Sequence, residues 1–195
     1  PDLLARIALL DKDVPGLTSE DYRLAEGERF SEAISRAWAR LLAAWRTFQT
    51  ELAKVPADDP ATTVTRERFL QPLLVELGFG RVATAQAIVV DERSYAISHA
   101  WGSVPIHLLG ARVSLEKKQA GLAGAARSSP HGLVQDLLNR SEPHLWALLS
   151  NGLVLRLLRD HHSLTTQAYV EIDLEAMFEE QRYADFVVLW LVCHQ

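Results

Sequence analysis

Leu145-Trp146-Ala147-Leu148-Leu149-Ser150-Asn151-Gly152-Leu153-Val154-Leu155-Arg156-Leu157-Leu158 is the stretch on which the fold turns. Two apolar runs, Leu145 to Leu149 and Leu153 to Leu158, flank Ser150-Asn151-Gly152. Asn and Gly both tolerate positive φ, so the pair predicts a tight hairpin between two strands. Runs that are apolar on both faces belong in the interior of a sheet rather than at its edge. A further strand is expected over Thr165 to Ile172, past a polar turn at Asp160-His161-His162. Upstream, Ala87 to Val90, Ser94 to Trp101 and Val104 to Leu115 carry β-branched and aromatic residues, with breaks at Asp91-Glu92 and Gly102-Ser103.

Helical periodicity surrounds this β region. From Glu28 to Lys54 the apolar positions Phe30, Ile34, Trp38, Leu41, Trp45, Phe48 and Leu52 recur every three or four residues, the period of one long amphipathic helix. Before it lie a short mixed stretch, a Pro15-Gly16 turn and a Thr18/Asp21 pair of the capping-box kind. Pro56 to Pro60 reads as a linker, and a second helix runs from about Thr65 to Leu77, stopped by Gly78. Ala120 to Ser129 is a loop rich in Gly, Ala and Ser, followed by a short helix over Pro130 to Asn139. Helices near Leu174–Glu179 and Ala184–His194 close the chain. The last carries no stop signal, so a continuation beyond Gln195 is expected, and with it partial exposure of Phe186, Val187, Leu189, Trp190 and Leu191 and self-association. The expected class is α+β: a helical segment at 1–58, then a mixed sheet flanked by helices at 59–195.

The 195 residues are 48% hydrophobic, which predicts a folded domain rather than a disordered one. The longest apolar run, Phe186 to Cys193, is far shorter than the roughly 20 residues of a membrane-spanning helix, and Cys193 is the only cysteine. A cytoplasmic protein with no membrane partner is expected. The formal charge of −5 excludes a free-standing polycation, so any nucleic-acid contact must come from a local patch. Sixteen of the twenty basic residues are arginine, a bias that a GC-rich genome also produces. Arg112, Arg127 and Arg140 are the candidate phosphate contacts.

Most catalytic signatures are missing. There is no Gly-x-Ser-x-Gly elbow, Walker loop or dinucleotide fingerprint. Adjacent histidines at 161 and 162, without a cysteine pair, do not make a metal site. In Ser128-Ser129-Pro130-His131 the hydroxyls read as helix caps. One constellation carries chemistry. Restriction-type nucleases hold Mg²⁺ between acids on neighbouring strands, with a lysine two residues after the second acid. Glu116-Lys117-Lys118 supplies a Glu-x-Lys element, so Glu116 and Lys118 are candidates. Pro105-Ile106-His107 places a histidine where the first acid is needed, and Asp91 or Glu92 could fill that role.

Three blocks carry a family resemblance: Ser128 to Ser141, Leu145 to Gly152 and Gln167 to Phe178. They resemble the amino-terminal region of type IIG-like restriction–modification adenine methyltransferases, including those of DISARM-like phage-defence clusters. Glu28 to Ile34 and Leu73 to Phe79 fit the same region. More distantly, the helix ending in Leu77-Gly78-Phe79 and the Trp146…Asn151-Gly152 hairpin resemble the nuclease domain of type I restriction subunits. That likeness implies a degenerate PD-(D/E)xK restriction-endonuclease-like fold, from which His107 departs. The resemblance also implies a parent that uses S-adenosylmethionine and an Asn-Pro-Pro-Tyr-type loop on a flipped adenine. No such loop occurs between Pro1 and Gln195. The expectation is therefore a non-catalytic module with no cofactor of its own. It would contribute to DNA handling, or to docking the rest of the methyltransferase or its defence-complex subunits. An active Mg²⁺ endonuclease and a protein–protein scaffold without a DNA role are the alternatives.

Overall fold

A computed structural model of the protein describes residues 2–160 and 169–195. The helices are α1 (Asp2–Ala8), α2 (Phe30–Leu52), α3 (Thr62–Thr65), α4 (Gln71–Glu76), α5 (Pro130–Arg140), α6 (Leu174–Glu179) and α7 (Tyr183–Cys193). The strands are β1 (Ile88–Val90), β2 (Arg93–Tyr95), β3 (His99–Trp101), β4 (Val104–Leu108), β5 (Trp146–Ser150), β6 (Val154–Arg159) and β7 (Tyr169–Asp173). Among the described residues the class is α+β, with a five-stranded mixed sheet in the order β3-β4-β5-β6-β7 and a separate β1-β2 hairpin. Only the β4–β5 pair is parallel, joined through α5.

The central position of β5 and β6 follows from their apolar runs, but the connection differs from a two-residue turn. Ser150 pairs with Leu155, and only Gly152, at φ +83°, takes positive φ. Asn151 instead acts through its side chain, whose Oδ1 accepts from the Leu153 and Val154 N–H groups while its amide donates to the Val113 carbonyl at 3.0 Å. The turn is an Asx turn tied to a distant loop. Of the expected strand over Thr165 to Ile172, residues 165–168 lie outside the described residues, as do His161, His162 and the Gln167-Ala168 start of one resemblance block; β7 supplies the rest.

Two long expected strands are shorter than their sequence pattern suggests. Ser94 to Trp101 breaks after Tyr95, where the Ile97 N–H donates to the Tyr95 carbonyl in a γ-turn. Beyond it, the Ser98 hydroxyl accepts from the Leu108 N–H at 2.7 Å in place of a backbone partner. The strand expected to reach Leu115 ends at Leu108, because the chain there leaves the sheet to pack on residues 60–65. A Cβ on Gly110 would stand 1.9 Å from the Pro60 carbonyl oxygen, and the Ala111 N–H donates to the Thr65 hydroxyl.

α2 buries Ala33, Ile34, Ala37, Leu41, Trp45 and Phe48, the stripe its periodicity marks. The helix expected from Thr65 begins earlier and contains a π turn over Arg66–Leu70, where the Gln71 N–H reaches back to the Arg66 carbonyl. Pro72 offers no N–H and its ring would crowd the Arg68 carbonyl, and the wider turn removes that clash. Gly78 ends the helix at φ +85°, with Phe79 N–H to Leu74 O and Gly78 N–H to Val75 O, the paired bonds of a Schellman stop.

The sheet separates two cores. On one face Ile106, Leu108, Leu148 and Leu155 pack with α2, α4, α6 and α7, so residues before and after 58 share one apolar cluster. On the other face Leu109, Ala147, Leu149 and Leu158 pack with Val134, Leu137 and Leu138 of α5 and with Tyr95 of the small hairpin. The expected exposure of α7 is corrected. Phe186, Leu189, Trp190 and Leu191 are buried and Val187 is half-buried. The Tyr22 ring stacks on Trp190 and its hydroxyl donates to the Leu191 carbonyl, while Trp38 of α2 covers Phe186. Among the described residues no helix is long and apolar enough to cross a membrane.

Candidate functional site

The α5 face of the sheet carries one polar row. His107 of β4 pairs with Leu149, Leu149 with Arg156 of β6, and Arg156 with Glu171 of β7. Strand alternation puts all four side chains on the same face. Arg156 is 7% exposed. Its Nε donates to Glu171 at 2.7 Å and its Nη1 to Glu116 at 2.5 Å, and the guanidinium carbon lies 4.8 Å from the Tyr169 ring centroid. Burial opposes its charge, but the hydrogen bonds it donates to Glu171 and Glu116 outweigh this and hold the guanidinium above its ordinary pKa.

His131, in the first turn of α5, completes the cluster. The helix begins there because Ser129 caps it and Pro130 needs no N–H partner. Arg156 Nη1 donates to His131 Nδ1 at 3.0 Å, which leaves the ring proton on Nε2, a buried atom without a partner among the described residues. Burial first, and then the positive charge of Arg156, lower the His131 pKa.

His107, 1% exposed, has no carboxylate role. Its Nδ1 accepts from the Ser98 N–H, and its Nε2 lies 3.3 Å from the Gly124 carbonyl, to which it donates as the neutral tautomer. Burial lowers its pKa to about 4. Gly124 must be glycine, since its φ is +79° and a Cβ would stand 2.3 Å from the imidazole.

Glu116 is not at a strand end, for β4 stops eight residues earlier, at Leu108. Lys118 is exposed and has no ion-pair or hydrogen-bond partner among the described residues. Asp91 sits in the β1–β2 turn at φ +47°, beside Glu92 at φ +62°, and its charge acts on Arg140 at the last turn of α5. Glu116 lies near His131, at the first turn of the same helix, so Asp91 and Glu116 belong to opposite ends of α5. The described residues thus bring Glu116 to Arg156 and, through it, to Glu171 rather than to Asp91. The Arg156 guanidinium stands between the Glu116 and Glu171 carboxylates, and a cation already in that position does not fit Mg²⁺ there.

Of the three arginines, Arg112 donates to the carbonyls of Leu52, Val55, Pro56 and Asp59, fastening the end of α2 to the loop behind it. Arg140 pairs with Asp136 at 2.8 Å. Arg127 is exposed and has no partner among the described residues. Sequence reasoning missed Arg156, Glu171 and the pairing role of His131. The available signal was Arg156 itself, a charge inside a run that is otherwise apolar on both faces. Comparison with protein-family models, curated proteins and solved structures found no match.

Proposed function

We propose that the chain is a non-catalytic module of a restriction–modification or phage-defence DNA methyltransferase, where it helps hold DNA or dock the enzyme's other parts in the cytoplasm. The observation that carries the non-catalytic reading is Arg156, whose guanidinium bridges Glu116 and Glu171 and already neutralises the acid that a nuclease would use to hold an ion. The 128–178 resemblance, and a parallel β4–β5 pair joined through α5 with helices on both sheet faces, support the restriction-type reading. S-adenosylmethionine would supply the methyl group in the parent enzyme, and no residue of this chain is assigned to that step.

The test is duplex DNA binding across a salt series, with cleavage followed in Mg²⁺ and Mn²⁺. Binding that weakens steeply with salt, without cleavage, is the expected result. Metal-dependent cutting abolished by Glu116→Ala would replace this reading with that of a nuclease. A protein with no affinity for DNA at low salt would leave only the docking role.

A further inference from the structure

We propose that the segment between β4 and α5 is a flap that meets the phosphodiester backbone of duplex DNA through Lys117, Lys118 and Arg127. The inference rests on the DNA-holding reading and names the surface that would serve it.

Its two limbs are clamped together twice. The His131 N–H donates to the Leu115 carbonyl at 3.0 Å, and the Gln119 N–H donates to the Ala125 carbonyl at 2.9 Å. Between these bonds lie residues 116–118 on one limb and 126–130 on the other, so all three cations fall within the stretch that the two bonds enclose. The strip is also fixed to the sheet, at its base by Glu116–Arg156 and near its tip by His107 and the Gly124 carbonyl. Buried Val113, Leu115 and Ala125 face inward, and Lys117, Lys118 and Arg127 face solvent.

The charge balance favours an anionic partner. The chain as a whole is acidic at −5, and many of its cations are already committed: Arg36 to Glu28, Arg40 to Glu76, Arg81 to Glu67, Arg140 to Asp136. The one acid of the flap, Glu116, is itself paired with Arg156. Lys117, Lys118 and Arg127 therefore keep their charge for an outside partner, and phosphates spaced along a duplex complement such a strip. The backbone of α5 takes no part, since its first free N–H groups already donate to Leu115 and Ser129. Contacts made by side-chain cations alone fix position and carry little base selectivity.

Fluorescence anisotropy with a labelled mixed-sequence duplex tests this in three proteins of confirmed melting temperature. These are the unaltered chain, a flap triple (Lys117→Gln, Lys118→Gln, Arg127→Gln) and a control triple of exposed cations elsewhere (Lys12→Gln, Arg46→Gln, Arg68→Gln). The flap triple is expected to weaken binding at least about tenfold at low salt and to flatten the log–log salt dependence by about three units, one per lost phosphate contact. The control triple should leave that slope near the unaltered value. If the unaltered chain binds with a steep slope and both triples behave alike, the flap assignment is overturned while the DNA-holding reading stands. If the unaltered chain does not bind the duplex at all, the DNA-holding reading fails first and the flap with it. Tighter capture of a poly-glutamate peptide than of the duplex would assign the flap to an acidic protein instead.

Discussion

The two faces of the five-stranded sheet are built from different materials. On the α2 side Trp45, Phe48, Phe69 and Phe178 form a continuous aromatic cluster with ring centroids about 5 Å apart, and Trp38 and Phe186 extend it. On the α5 side the aliphatic contacts are interrupted by His107, Arg156 and His131, each buried and each hydrogen-bonded. The first face depends mainly on area removed from water, with buried His99 of β3 as its titratable exception. The second depends on groups whose stability requires a particular protonation state and particular partners. One sheet thus has a face that holds the fold and a face that holds a loop.

That contrast breaks most severely at Phe69. The ring is fully buried and touches Trp45, Phe48 and Phe178, so Phe69→Ala should cost about 3–5 kcal/mol by denaturant unfolding. A loss under about 1 kcal/mol would mean that the aromatic cluster is not the main core.

Acid should weaken both faces through their buried histidines, His99 toward α2 and His107 toward α5, and replacing one isolates its share. His107 is neutral in the folded chain, with a pKa lowered to about 4, against an ordinary value near 6.5. As pH falls below about 6.5 the unfolded chain binds a proton that the folded chain refuses, so stability declines and the loss is complete near pH 4. From this residue the loss is about 3 kcal/mol. His107→Gln should make the acid limb of the stability curve shallower. An unchanged limb would show that the imidazole is not held neutral by the α5 face.

The smallest expected effect is at Glu116. Its side chain is half exposed, so Glu116→Gln should change global stability by less than about 1 kcal/mol. Loss of the tether should nonetheless speed limited tryptic cleavage after Lys117 and Lys118. Equal cleavage rates in both proteins would show that Arg156 does not secure the flap.

The aromatic face was largely legible in the sequence and the polar face was not. The α2 stripe, the Gly78 stop and the interior placement of β5 and β6 are local patterns, readable over a few turns or one hairpin. The Glu116–Arg156 pair spans 40 residues and Arg156–Glu171 spans 15, so neither has a local period. The shortening of the strand after Leu108 depends on Pro60 and Thr65, some fifty residues upstream, and β-propensity carries no trace of that contact. The Glu-x-Lys pattern was limited in the same way. It located Glu116 by pattern, whereas the partner that defines its role lies on another strand.

Asn151 carries a chemical consequence of its own. An Asn-Gly pair in a flexible chain deamidates when the glycine nitrogen attacks the asparagine side-chain carbonyl and ammonia leaves. Here that carbonyl accepts two backbone N–H groups, the side-chain nitrogen donates to Val113, and the Gly152 N–H donates to the Ser150 hydroxyl. The attacking nitrogen and the side-chain amide are both held by other partners, which fixes the turn away from the cyclising geometry, so the folded turn resists this ageing reaction. Isoaspartate at residue 151 would therefore accumulate in proportion to the time each molecule spends with the turn open, a slow internal clock of its unfolding history.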